Sequence, residues 1–173
     1  MASHLRVDKI EPVDGVPTGG GGGIVQVVQT VKNDVFTTSS VVSSGGYVDI
    51  TGLAVTITPQ SASNKILCKA IIYNSVASNN VNFFRLLRGS TFINQPSGTS
   101  SSGASYNAHA FSYYDATYQD STAIELLDSP ATTSATTYKI QMGVTGQTGT
   151  INAFAGTSNY YGISTITAME VCG

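Results

Sequence analysis

The chain contains no tryptophan, only two cysteines and two histidines, and of its 173 residues just eight are basic and ten acidic. Each shortage removes a class of protein. Charged residues make up 10% of the chain, where a soluble domain ordinarily carries about a quarter. Lys- and Glu-rich surface helices are therefore not expected. A formal net charge of −2 offers no cluster of Lys and Arg to displace counterions from phosphates, so nucleic acid is not an expected partner. No apolar run approaches the roughly 18 residues of a membrane-spanning helix. The opening Met1–Pro12 lacks the apolar centre of a signal peptide. The expectation is a protein made in a cytoplasm, with no membrane partner. Cys68 and Cys172 lie far apart, without metal-ligand spacing or a neighbouring histidine, which favours two free thiols over a disulfide and leaves no metal or cofactor expected.

Catalytic groups are equally scarce. Of the two histidines, His4 precedes the body of the chain and His109 alternates with Ala108 and Ala110 on an expected strand, where an ordinary strand histidine is the reading. Asp115, Asp120, Glu125 and Asp128 would suit glycoside hydrolysis only as two acids facing each other across a sugar. Asp residues that close turns near strand ends account for their positions equally well. Gly19–Gly23 lacks the Lys-Ser/Thr and the following helix of a phosphate-binding loop. An enzyme is not expected.

What remains is a surface of Ser, Thr, Asn, Gln and Gly, which suits exposed strands and turns. The five glycines Gly19–Gly23 can neither pack nor hold one backbone conformation cheaply, and they divide the chain into an extended N-terminal arm with its hinge, residues 1–23, and a body, residues 24–173. In the arm, Leu5, Val7 and Lys9 alternate with Arg6, Asp8 and Ile10, ahead of turn signals at Pro12 and Asp14-Gly15. So short a segment cannot bury its own Leu5, Val7 and Ile10; docking on a neighbour's sheet or surface is expected. The body carries short Val-, Ile-, Thr- and aromatic-rich runs bounded by turn residues, at Ile24–Lys32, Tyr47–Thr58, Lys65–Ser75, Asn80–Leu87, Tyr106–Tyr114, Ala123–Leu127, Thr136–Val144, Thr150–Ala155 and Ile163–Val171. Gly52 interrupts one alternation and is expected to form a bulge. No helix of 10–15 residues separates the runs, so the fold class is all-β: an antiparallel sandwich, with a jelly-roll the expected topology. Gln95–Ser105 is expected to be an exposed loop. Tyr106, Tyr113, Tyr114 and Tyr118, with Tyr160-Tyr161 further on, nominate one end of the body as a contact surface, because tyrosine is a rigid amphipathic contact residue.

The arm Leu5-Arg6-Val7-Asp8-Lys9-Ile10, followed after the glycines by Val28-Gln29-Thr30-Val31-Lys32, resembles the opening of small structural proteins of tailed bacteriophages, especially those of cyanobacterial and other aquatic hosts. Tyr47–Leu53, Ser63–Leu67, Leu127–Pro130, Ala135–Gln141 and Ser164–Val171 are similar to that group too. The resemblance implies a capsid decoration, or cement, protein on the outer surface of the virion. Its implied partners are the major capsid protein, through the arm, and its own copies in a homotrimer. The alternative is a tail-fibre or receptor-binding module that contacts host surface glycans. Five glycines span at most about 18 Å, which suits a head tethered close to its anchorage better than a fibre tip.

Overall fold

The computed structural model describes residues 23–76, 79–97, 107–114, 118–155 and 159–173. The expected arm, Leu5–Ile10 included, and Gly19–Gly22 lie outside the described residues, as do Tyr106 and residues 98–105 of the expected loop. The described elements are strands β1 (Ile24–Lys32), β2 (Phe36–Thr38), β3 (Val48–Ile57), β4 (Lys65–Val76), β5 (Asn80–Arg88), β6 (Thr91–Phe92), β7 (Ala110–Tyr114), β8 (Tyr118–Asp128), β9 (Thr136–Val144), β10 (Gly149–Ile151) and β11 (Ser164–Val171), with one 3-10 turn at Val42–Ser44.

The strands form two antiparallel sheets packed as a sandwich. In the first, β4 is the spine. One edge of β4 pairs with β8 from Ile66↔Asp128 to Val76↔Tyr118. Its other edge pairs with β11 over Lys65–Ile71 and with β10 over Asn74–Val76. β1 lies outside β11, and β2 outside β10. The second sheet runs β3-β9-β5, and β7 and β6 share the far edge of β5.

Period-two alternation explains why these segments are strands. In β4, Ile66, Cys68, Ala70 and Ile72 are buried, and the residues between them point outward. They meet Leu53, Val55 and Ile57 of β3, Phe84 and Leu86 of β5, and Ile140 and Met142 of β9 in a single core cluster. Each fully buried Ile, Leu, Phe or Met contributes about 1.5–3 kcal/mol by leaving water. The expected bulge is present. Register in the β3–β9 ladder shifts between Asp49 and Ala54, and Gly52 has φ +81°, a region that residues with a Cβ avoid. The bulge lies beside the buried Lys32, whose Nζ reaches Asp34 Oδ2 at 2.8 Å.

Several elements depart from the expected pattern. β8 starts at Tyr118 rather than Ala123, because the polar run Gln119–Thr122 is held by the β4 ladder despite its lack of apolar residues. β10 stops at Ile151 rather than Ala155, since Asn152 turns the chain with φ +63°. β2 and β6 are too short to show any periodicity.

Candidate functional site

By register, the described tyrosines of the nominated set belong to the end of the sandwich where β4 finishes. Tyr118 pairs with Val76, Tyr114 with Asn80 and Tyr113 with Val81, and Tyr161 bridges Ala153. Two of the set, Tyr118 and Tyr160, meet in one cavity. Tyr113 is exposed on the second sheet beside a ring pair of Phe83 and Phe111, whose centroids are 6.2 Å apart. Tyr161 is exposed on the segment between β10 and β11.

The cavity is built by stitching that segment onto the end of β4. The Asn152 amide donates to Tyr73 O at 2.9 Å, and the Ala155 amide donates to Ser75 Oγ at 2.6 Å. The Asn152 side chain donates to Lys32 O (2.9 Å) and Asp34 O (3.0 Å) and accepts from Ser164 Oγ (2.7 Å). Across the segment, Phe154 N donates to Tyr160 O and Gly162 N donates to Asn152 O, both at 3.1 Å. Gly162 lies flat against the Tyr73 ring, where any Cβ would collide. These bonds bring Phe154 and Tyr160 edge to face at 6.2 Å, opposite the first residues of β8. Tyr118, Gln119, Phe154 and Tyr160 line an open cleft of about 320 Å³. Tyr118 is 59% exposed and Tyr160 62%. Gln119 Nε2 is shielded from solvent and has no acceptor among the described residues.

A second surface is the outer face of the first sheet. The registers align Val27, Met169, Leu67 and Leu127 in one rung across β1, β11, β4 and β8. The next rung is Gln29, Thr167, Lys69 and Glu125, with Gln29 donating to Thr167 Oγ1 at 2.8 Å and Lys69 paired with Glu125 at 3.5 Å. The third is Val31, Thr165, Ile71 and Ala123. Val27 is 56% exposed, Val31 53% and Leu127 49%. An antiparallel sheet with one wet face normally alternates apolar-in with polar-out; two of these three rungs do not.

The remaining reactive groups are held in structure. Asp115 lies outside the described residues. Asp120 and Glu125 stand five residues apart on β8, so alternation puts them on opposite faces. They cannot face each other across one sugar. Asp120 Oδ1 accepts from the Ser121 amide at 2.7 Å. Asp128 is buried and accepts from Tyr138 Oη at 2.7 Å and from Arg88 Nη1 at 2.8 and 3.0 Å. His109 stands just before β7 rather than on a strand. Its Nδ1 accepts from the Leu86 amide (2.9 Å) and its Nε2 donates to Ile93 O (2.8 Å). Burial holds its pKa below the usual histidine value. Cys68 is buried and Cys172 half-buried, and they are not bridged. Burial, reinforced by the Asp128 charge, pushes the Cys68 thiol up and keeps it unreactive. Among the described residues, no three His, Cys, Asp or Glu side chains gather as a metal site.

Gln119 and Phe154 were not visible as site residues. One sits in a polar run and the other in a run that reads as strand, and only the turn at Asn152 brings them together. No protein-family model matches the chain, and no curated protein is significantly similar to it.

Proposed function

We propose that this protein is a capsid decoration (cement) protein of a tailed bacteriophage. It is a non-catalytic sandwich body, made in the host cytoplasm and carried on the outer surface of the virion as a homotrimer. The major capsid protein holds it through arm residues Leu5, Arg6, Val7, Asp8, Lys9 and Ile10. The observation that carries this reading is the apolar outer face of the first sheet, bordered by β1. β1 begins at Ile24, directly after the glycines, and contributes Val27 and Val31 to the apolar rungs. Gly23, the first described residue, therefore sits at the start of the strand that borders the surface best suited to packing against other copies. The middle rung places opposite charges, Lys69 and Glu125, between the two apolar rungs, where each can pair with an opposite charge on a different patch of a neighbouring copy, as the head-to-tail contacts of a trimer require. Three weak arm attachments then act together through effective concentration. Binding the assembled lattice better than its separated subunits stabilises the shell by mass action.

The jelly-roll reading belongs to the same proposal, and the strand order supports it. Without the short β2, β6 and β10, the sheets read β1-β11-β4-β8 and β3-β9-β5-β7, with β1–β11, β3–β9, β4–β8 and β5–β7 paired. A double Greek key calls for nested pairing of this kind. The alternative, a tail-fibre or receptor-binding module, has the aromatic cleft in its favour.

Locating labelled copies on intact particles is the decisive test. Copies spread over the head support cementing; copies confined to the tail tip support the alternative. Deleting Met1–Pro17 should abolish capsid binding without lowering the melting temperature, and undiminished binding would remove the arm from the proposal. Leu127→Asp with Val27→Asp should leave a folded protein that sediments as a monomer.

A further inference from the structure

The geometry points to a carbohydrate site: the cleft between Tyr118, Gln119, Phe154 and Tyr160 binds one neutral pyranose unit of a cell-surface glycan. This supplies the receptor-binding alternative with its ligand class and its residues. It rests on the cleft alone, so it holds whether the protein decorates the head or the tail.

A pyranose ring has an apolar face of C–H groups and a rim of hydroxyls. It is recognised by an aromatic surface for the face and by fixed polar groups for the rim. Tyr118 and Tyr160 offer rings that are more than half exposed on two separate stretches of backbone. The Phe154 contact and the Phe154 N–Tyr160 O bond hold the second of them in place, so little freedom is lost when a sugar docks. Gln119 supplies the polar element. Its Nε2 has no acceptor among the described residues, so a side-chain rotation that turns it to the cleft offers a sugar hydroxyl a donor without breaking an existing bond. The Tyr160 hydroxyl adds a donor and an acceptor at the rim. Among the described residues, none of the four that line the cleft carries a charge, which suits a neutral sugar better than a uronic acid or a sugar phosphate. The volume of about 320 Å³ is at the small end for ligand sites and suits one ring. Because the cleft is open, that ring can be one unit within a longer polymer.

The test is a titration of the intact chain followed by NMR, using the methyl glycosides of glucose, galactose and mannose, N-acetylglucosamine, and glucuronic acid as the anionic counterpart. At least one neutral sugar should saturate with a Kd on the order of 1 mM, as expected for a shallow single-ring site. Glucuronic acid should bind several-fold more weakly. Tyr118→Ala and Tyr160→Ala should each weaken binding by about tenfold, Gln119→Leu by about fivefold, and Tyr160→Phe by less than about twofold, since the ring carries the stacking. Phe111→Ser, which removes an exposed ring from the other sheet, is the control and should change nothing. Three results would overturn the assignment: no neutral sugar saturating below about 50 mM, binding that survives both tyrosine-to-alanine changes, or preference for the acid. Failure here leaves the location of the protein on the particle untouched, because particle imaging decides that separately.

Discussion

Replacing Glu170 with glutamine tests how the end of the sandwich where β1 begins and β11 finishes is held together. The Glu170 side chain has no solvent-accessible surface. Its Oε1 accepts from the Gln60 amide and from Asn64 Nδ2, both at 2.7 Å, and its Oε2 accepts from Gln26 Nε2. One carboxylate thus joins β11, β1 and the turn before β4. Burial alone would raise its pKa, but the bonds from Gln26, Asn64, Gln60 and Ser61 outweigh that and hold it below the ordinary glutamate value of 4.5. Hydrogen bonds to a charged group contribute about 1.5–3 kcal/mol each, and the desolvation of the carboxylate offsets much of the sum. Glu170→Gln keeps one acceptor oxygen but turns an amide donor toward another donor. A net loss of about 2 kcal/mol follows, which lowers Tm by about 4–8 °C at this chain length. The pH dependence gives the sharper check. A carboxylate with a depressed folded pKa contributes stability above its unfolded pKa and loses it as pH falls through the folded value. Urea unfolding should therefore show a wide gap between wild type and Glu170→Gln at pH 7, narrowing below about pH 4. A gap that is absent at pH 7, or that widens on acidification, would refute the reasoning.

Gly149→Ala should lower stability by about 2–3 kcal/mol by chemical denaturation, because its methyl would overlap Met142 and Asn82 in the core. Asp128→Ala leaves the buried Tyr138 hydroxyl without an acceptor and Arg88 without its partner; a loss of about 3 kcal/mol is expected, and Asp128→Asn, which keeps an acceptor, should lose clearly less. His109 is held neutral by burial, so the unfolded chain takes up a proton first as pH falls below about 6.5. Stability should decline from there through the lower folded pKa, and His109→Gln should flatten that slope in calorimetric melts.

The strands with clean alternation were legible in the sequence. β1 and β9 have the expected bounds, and the Gly52 bulge is where the broken count of Val48, Ile50 and Leu53 places it. Legibility failed where a neighbour, rather than local pattern, decides the conformation. Gln119–Thr122 is extended because β4 offers an unbroken edge, and β2 exists because β10 lies beside it. The aromatic cleft was half legible. Tyr118 and Tyr160 were nominated by residue type, but their meeting depends on Asn152 holding φ +63° and bonding to Lys32 and Asp34, contacts 118–120 residues apart in the chain. The apolar outer rungs need registers that no single strand reveals. Leu67, Ile71 and Leu127 read simply as strand interior until β4, β8 and β11 are laid side by side.

The pairing of β4 gives the sandwich a near pole and a far pole. Gly23 O accepts from the Cys172 amide next to the Val171↔Lys65 pair, whereas Gln119 stands opposite Ser75, ten residues farther along the spine. At about 3.3 Å per strand residue, the two levels are roughly 33 Å apart. A body attached at Gly23 therefore holds its aromatic mouth that distance from the attachment, and its own strands serve as the stalk. Cargo fused to Gly173 would crowd the pole of Gly23.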